Sequence, residues 1–112
     1  MEYKIKSRIW IEANGHVLLG EGRIKLLKAI HETGSLSKAA KLLNMSYKKA
    51  WNLIDSINKY AKEPVIITSI GGKGGGGAIL TKHGKELIAI FENINKNCWK
   101  FLDNELKVIE KD

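Results

Sequence analysis

Two apolar-striped segments held only three residues apart constrain this chain more than any other feature of it. Leu36, Ala39, Ala40 and Leu43 recur at helical spacing, and so do Ala50, Leu53, Ile54, Ile57 and Ala61. Between them stands Asn44-Met45-Ser46. Asn is the residue after glycine that best tolerates the left-handed backbone region, and a Ser at the head of a helix accepts one of its unbonded amide protons. The pattern predicts one helix ending near Leu43 and a second that follows Ser46 and runs to about Ala61, with Pro64 as a stop. Helices joined by so short a break must cross steeply, which makes residues 35–61 a helix-turn-helix.

The flanks supply the rest of a domain. Ile5, Ile9 and Ile11 alternate with Lys4, Lys6, Arg8 and Glu12, with Trp10 on the polar side, as in a half-buried strand. Asn14-Gly15 suits a tight hairpin turn, and Val17 and Leu19 form the return, so a hairpin is expected over 3–19. Gly20-Glu21-Gly22 separates it from a helix with Ile24, Leu27 and Ile30 on its apolar face, widened by Leu26 and Ala29. Gly34 can end that helix in the left-handed region, and Ser35 can cap the next. Downstream, Val65-Ile66-Ile67-Thr68 reads as a β-branched strand and Ala78-Ile79-Leu80 as its return, a wing over 65–80. Thr81 caps a last helix over 81–106 that carries Leu87, Ile88, Ile90, Phe91, Ile94, Trp99 and Leu102. The expected fold is α+β: a single winged helix-turn-helix domain over 1–112, with an N-terminal β-hairpin and a long C-terminal helix.

The charge is concentrated. The chain carries a net charge of +7, and residues 34–85, with nine lysines against Asp55 and Glu63, account for all of it. Such asymmetry points to a polyanionic partner, and the two acids are expected to pair with neighbouring lysines. On the helix after Ser46, Lys48, Lys49, Asn52, Ser56 and Lys59 project away from the apolar stripe. Lys can meet phosphate or guanine O6/N7, and Asn pairs bidentately with adenine N6/N7, which suits a DNA major groove. Tyr47 and Trp51 lie at the border of the stripe; Tyr47 is expected to touch a phosphate or base and Trp51 to pack. Ser35, Ser37 and Lys38, at the start of the preceding helix, are candidate phosphate clamps.

Other chemistries find no support. Gly72-Lys73 is followed by Gly74 and Gly84-Lys85 by Glu86, so neither is a P-loop, whose Lys precedes Ser or Thr. The glycine-rich segment instead suits a wing tip whose Lys73 lies along a DNA backbone or minor groove. His16, His31, His83 and Cys98 are too scattered for a zinc site, and no catalytic signature is present. We therefore expect no enzyme, no metal, no cofactor and no membrane partner. The single cysteine and the lack of a signal-peptide pattern at the start suit a cytoplasmic protein.

The run from Gly34 to Ile54 (GSLSKAAKLLNMSYKKAWNLI), followed by Gly71 to Thr81 (GGKGGGGAILT), resembles the N-terminal DNA-binding domain of the ModE family of molybdate-responsive regulators. Val17 to Arg23 (VLLGEGR) is similar to small stand-alone members, and the likeness covers about residues 5 to 91. A more distant likeness to LysR-type domains is confined to the helix-turn-helix. The resemblance implies a winged helix-turn-helix that dimerises largely through its terminal helices and binds a palindromic operator in double-stranded DNA. It places Ser35, Ser37, Ser46, Tyr47, Lys48, Lys49 and Asn52 toward DNA, with Lys73 in the wing. Leu87, Ile90, Phe91, Ile94, Trp99 and Leu102 become the expected homodimer interface. Full-length members add oxyanion-binding domains; this chain ends at Asp112, so molybdate sensing by it is not expected.

The function expected is that of a homodimeric, sequence-specific transcriptional regulator, connected to molybdate or oxyanion genes by resemblance alone. The alternative is a winged-helix module for protein interaction or for non-specific nucleic-acid binding. No residue pattern assigns a small-molecule effector.

Overall fold

The computed structural model describes residues 1–69 and 76–111. Its elements run β1 (Trp10–Ala13), β2 (His16–Gly20), α1 (Glu21–Thr33), α2 (Leu36–Leu42), α3 (Tyr47–Tyr60), β3 (Ile66–Thr68), β4 (Ala78–Leu80) and α4 (Lys82–Glu110). β1 and β2 form one antiparallel hairpin and β3 and β4 another. Together with the helices they make a mixed α+β winged helix-turn-helix.

The turns follow from side-chain chemistry. Asn14 and Gly15 both take positive φ, 52° and 79°, the conformation a two-residue hairpin turn of matching twist requires. Gly34 closes α1 at φ 68°, its N–H donating to the Ile30 carbonyl at 2.7 Å. The α2–α3 break is a Schellman closure. Asn44 sits at φ 56°, its N–H donates to the Lys41 carbonyl at 3.2 Å, and the Met45 N–H reaches back to Ala40 at 3.0 Å.

The N-terminal hairpin is shorter than its alternating pattern suggests. Residues before Trp10 form no strand, and the pairing of β1 with β2 slips between Ile11 and Glu12, whose partners are Leu19 and Val17. Nor do Gly20-Glu21-Gly22 act as a spacer, since α1 begins at Glu21 directly after β2.

The core lies between α1, α2, α3 and the wing. Leu19, Leu26, Leu27, Ile30, Ala39, Ala50, Ile57, Val65 and Ala78 are all but inaccessible. Leu26 and Ala29 widen the α1 face, so this helix is covered on two sides, by α2 and by β4. The wing is tied to the helices by polar groups. The Asn58 side chain on α3 accepts from the N–H of Val65 (2.7 Å) and of Ile66 (3.2 Å) and donates to the Ile66 carbonyl (2.9 Å). The Ala78 N–H donates to the Gly34 carbonyl at 3.0 Å. Thr81 caps α4 by accepting from the Gly84 N–H at 3.0 Å, while its hydroxyl donates to the Pro64 carbonyl at 2.7 Å. Gly84 passes so close to the wing that a Cβ there would lie 2.7 Å from the Val65 carbonyl oxygen.

Past Phe91 the α4 helix leaves this body, and the molecule measures 63 × 29 × 22 Å. The N-terminal segment Tyr3–Lys6 borders a groove along the far half of α4, beside Trp99, Asp103 and Leu106. Among the described residues no helix is long and apolar enough to cross a membrane.

Asn58→Ala should cost about 2–3 kcal/mol, because it strands the amides of two buried wing residues without acceptors. Chemical denaturation will show this. Asn58→Asp, which keeps the acceptor, should recover part of the loss.

Candidate nucleic-acid interface

The third helix is placed by its cap and its apolar back. Ser46 precedes it in an extended conformation, and its hydroxyl accepts from the Lys49 N–H at 3.1 Å. Ala50, Ile54 and Ile57 are buried in the core, on a helix that packs on α2 and β2. Lys48, Lys49 and Asn52 are thereby turned outward and are exposed. Tyr47, in the first turn, is exposed as well. Trp51, expected to pack, is 48% exposed on the border of the stripe. It therefore adds an aromatic surface beside Tyr47, one turn away.

The start of α2 carries a second set of polar candidates. Ser35 caps α2 by accepting from the Lys38 N–H at 3.1 Å, and Ser37 and Lys38 are exposed in its first turn. Among the described residues no lysine of α2 or α3 forms an ion pair; the bridges are Lys25–Glu21, Lys28–Glu92 and those of His83. The expected pairing of the two local acids with lysines is not found. Asp55 is in no ion pair among the described residues, and Glu63 lies 3.7 Å from His83 Nδ1. Among the described residues the cations of this face have no counterion within ion-pair distance, the arrangement that favours an external anion.

One candidate stands differently from expectation. Ser56 is half-buried and its hydroxyl accepts from Arg23 Nη1 at 3.2 Å, so it braces α3 against α1. Lys73 lies outside the described residues. Arg23 itself was not a candidate, since it reads as one more polar residue on α1. It borders a shallow depression with Ser46, Lys48, Lys49, Asn52 and Leu53. Burial lowers its pKa from the ordinary value, although an arginine stays charged at any ordinary pH.

The expected dimer residues divide by depth along α4. Phe91 is 3% exposed and Leu87 packs beside it, so both serve this chain's own core. Ile90 and Ile94 are exposed, and Trp99 and Leu102 are half-buried. Phe101, 62% exposed, and Val108, also exposed, were not among the expected residues. Leu87, Ile94, Phe101 and Val108 follow one another at seven-residue intervals, a repeat that would have found them.

A helix-turn-helix with an outward cationic helix and a β-wing defines a class of regulatory nucleic-acid-binding domain. The chain belongs to the bacterial regulatory helix-turn-helix proteins of the lysR family, whose pattern it matches over residues 22–85. Within that class it is similar to ModE proteins. It is 36% identical over 97 residues to the molybdenum transport protein ModE of Azotobacter vinelandii, covering 87% of this chain and 36% of that protein. It is 49% identical over 70 residues to the transcriptional regulator ModE of Yersinia pestis, covering 62% of this chain and 27% of the relative. Against the DNA-binding transcriptional dual regulator ModE of Escherichia coli K12 it is 44% identical over 70 residues, with the same coverage of 62% and 27%. The chain thus spans between 27% and 36% of the length of these curated relatives.

Ser46→Ala should destabilise the domain by about 1 kcal/mol through loss of the cap, whereas Ser46→Asp, which can accept the same amide proton, should leave stability near the parent value. Thermal melts of the two variants check this.

Proposed function

We propose that this chain is a sequence-specific, DNA-binding transcriptional regulator that acts as a homodimer. In this reading α3 enters the major groove, with Lys48 and Lys49 on phosphates or guanines and Asn52 on an adenine edge. Ser35, Ser37 and Lys38 hold the adjacent backbone, and the segment around Lys73 lies along backbone or minor groove. The observation that carries the reading is the outward face of α3, where exposed lysines and an asparagine stand without a carboxylate partner on a helix fixed by its cap and its buried back. The names of the relatives add the setting. They speak of transcriptional regulation and of molybdenum transport, and we take the regulated genes to be concerned with molybdenum.

Dimerisation in this reading uses the exposed stripe Ile90, Ile94, Phe101 and Val108 on α4, with Trp99 and Leu102 at its edge. Four large apolar side chains on one projecting helix are a surface that a second copy of the same helix would bury. A two-fold dimer presents its recognition helices to half-sites about one helical turn, or a multiple of it, apart.

Asn52→Ala should relax base preference at one position of the half-site, costing roughly 1–3 kcal/mol there and little elsewhere. Competition with a panel of single-substitution duplexes reads this out, and an unchanged preference profile would remove Asn52 from the readout. Phe101→Glu should shift the protein to monomer in sedimentation equilibrium and weaken binding to a two-half-site duplex more than to a single half-site.

A further inference from the structure

We propose that Arg8 and Arg23 grip backbone phosphates of the DNA that flanks the segment read by α3, making the groove between the N-terminal hairpin and α3 a second phosphate-binding element. The proposal rests on the DNA-binding reading above and extends it to a part of the molecule outside both the helix-turn-helix and the wing.

The chain has 19 basic side chains, and only two of them, Arg8 and Arg23, are arginines. Both line the same groove, and Lys49 of α3 lines it with them. Among the described residues neither arginine forms an ion pair, and Glu21, an acid of that groove, lies 3.5 Å from Lys25 Nζ. Arginine differs from lysine in offering a planar fork that matches two phosphate oxygens at once. Arg23 is already oriented, because its Nη1 donates to Ser56 while the other donors of the fork remain for a ligand. Arg8 is exposed on the segment leading into β1.

The groove is also fixed with respect to the recognition helix. His16, at the start of β2, stacks on Tyr60 at the end of α3, with ring centroids 4.2 Å apart and planes 12° from parallel. Arg23 and Lys49 border both this groove and the depression at the front of α3, so the two cationic surfaces are continuous. A duplex seated on Lys48 and Asn52 would carry its own backbone past Arg23 toward Arg8. Continuity of this kind favours a polymeric anion over a free one.

The test measures the affinity of the full chain for a fixed duplex as salt is raised, comparing the parent protein with Arg8→Ala and Arg23→Lys. Arg8 lies outside every regular element, so its replacement leaves the fold intact, and Arg23→Lys keeps the charge near Ser56 while removing the fork. Arg8→Ala should weaken binding roughly 3- to 10-fold at physiological salt and reduce the slope of log affinity against log salt by about one unit per lost phosphate contact. The loss should be equal on matched and unrelated sequences and should vanish when the flanking base pairs are trimmed away. Arg23→Lys should weaken binding with less change in slope. Parent-like affinity and slope in both variants would overturn the proposal, as would a loss confined to one base position. Saturable thermal stabilisation by inorganic phosphate at millimolar concentration, abolished by Arg8→Ala, would also overturn it, in favour of a free-anion site. Parent protein that binds no duplex at all would instead remove the DNA-binding reading on which the proposal rests.

Discussion

One asparagine side chain ties the wing directly to the third helix. Asn58 projects from α3 and uses both ends of its amide on β3, accepting from two backbone N–H groups and donating to a carbonyl. The amides it satisfies belong to Val65 and Ile66, which are buried. Water cannot replace such a partner without opening the core. The same junction is held from two other sides. The Gly34 carbonyl accepts from β4, and Thr81 joins the head of α4 to the strand leading into the wing. The third helix and the head of α4 therefore both meet the stretch of chain around Val65, and the turn before α2 meets the return strand of the same wing.

That coupling gives each charged group its meaning. An exposed lysine on a mobile element contributes diffuse attraction, whereas one on an element of fixed orientation can contribute register. Lys48, Lys49 and Asn52 stand on a helix whose start is capped by Ser46 and whose back is buried through Ala50, Ile54 and Ile57. Among the described residues the lysines of this helix form no ion pair, while on α1 Lys25 meets Glu21 and Lys28 meets Glu92 of α4.

Much of this was legible in the sequence, for a physical reason. Turns and caps depend on single residues with distinctive backbone chemistry. Asn14-Gly15, Gly34, Ser35, Asn44, Ser46 and Thr81 all stand where their chemistry predicts. The core faces of α1 and α3 follow from periodicity alone. What could not be read depends on distant elements meeting. The alternation of Ile5, Ile9 and Ile11 forms no strand before Trp10, because nothing pairs with that part of the chain. Trp51 carries the apolar surface of a core residue but sits at the border of the α3 stripe, where no neighbouring element covers it fully. Ser56 belongs to the polar face of α3 by phase, and only the arrival of Arg23 from α1 takes up its hydroxyl. Phe91 directly follows Ile90, and the roughly 100° that one residue turns the helix brings it to the side that packs against the core. Asn58 was invisible for the same reason: its partners are backbone groups of a strand that periodicity cannot place beside it.

The central claim is that the face of α3 reads base sequence, and selection of binding sites from random duplex DNA tests it most directly, with affinity followed from low to physiological salt. The account predicts an enriched two-fold symmetric sequence, with half-sites separated by about one helical turn or a multiple of it, whose binding persists at physiological salt. Weak binding without sequence preference that disappears as salt rises would leave only the electrostatic attraction of a basic surface and would contradict the account.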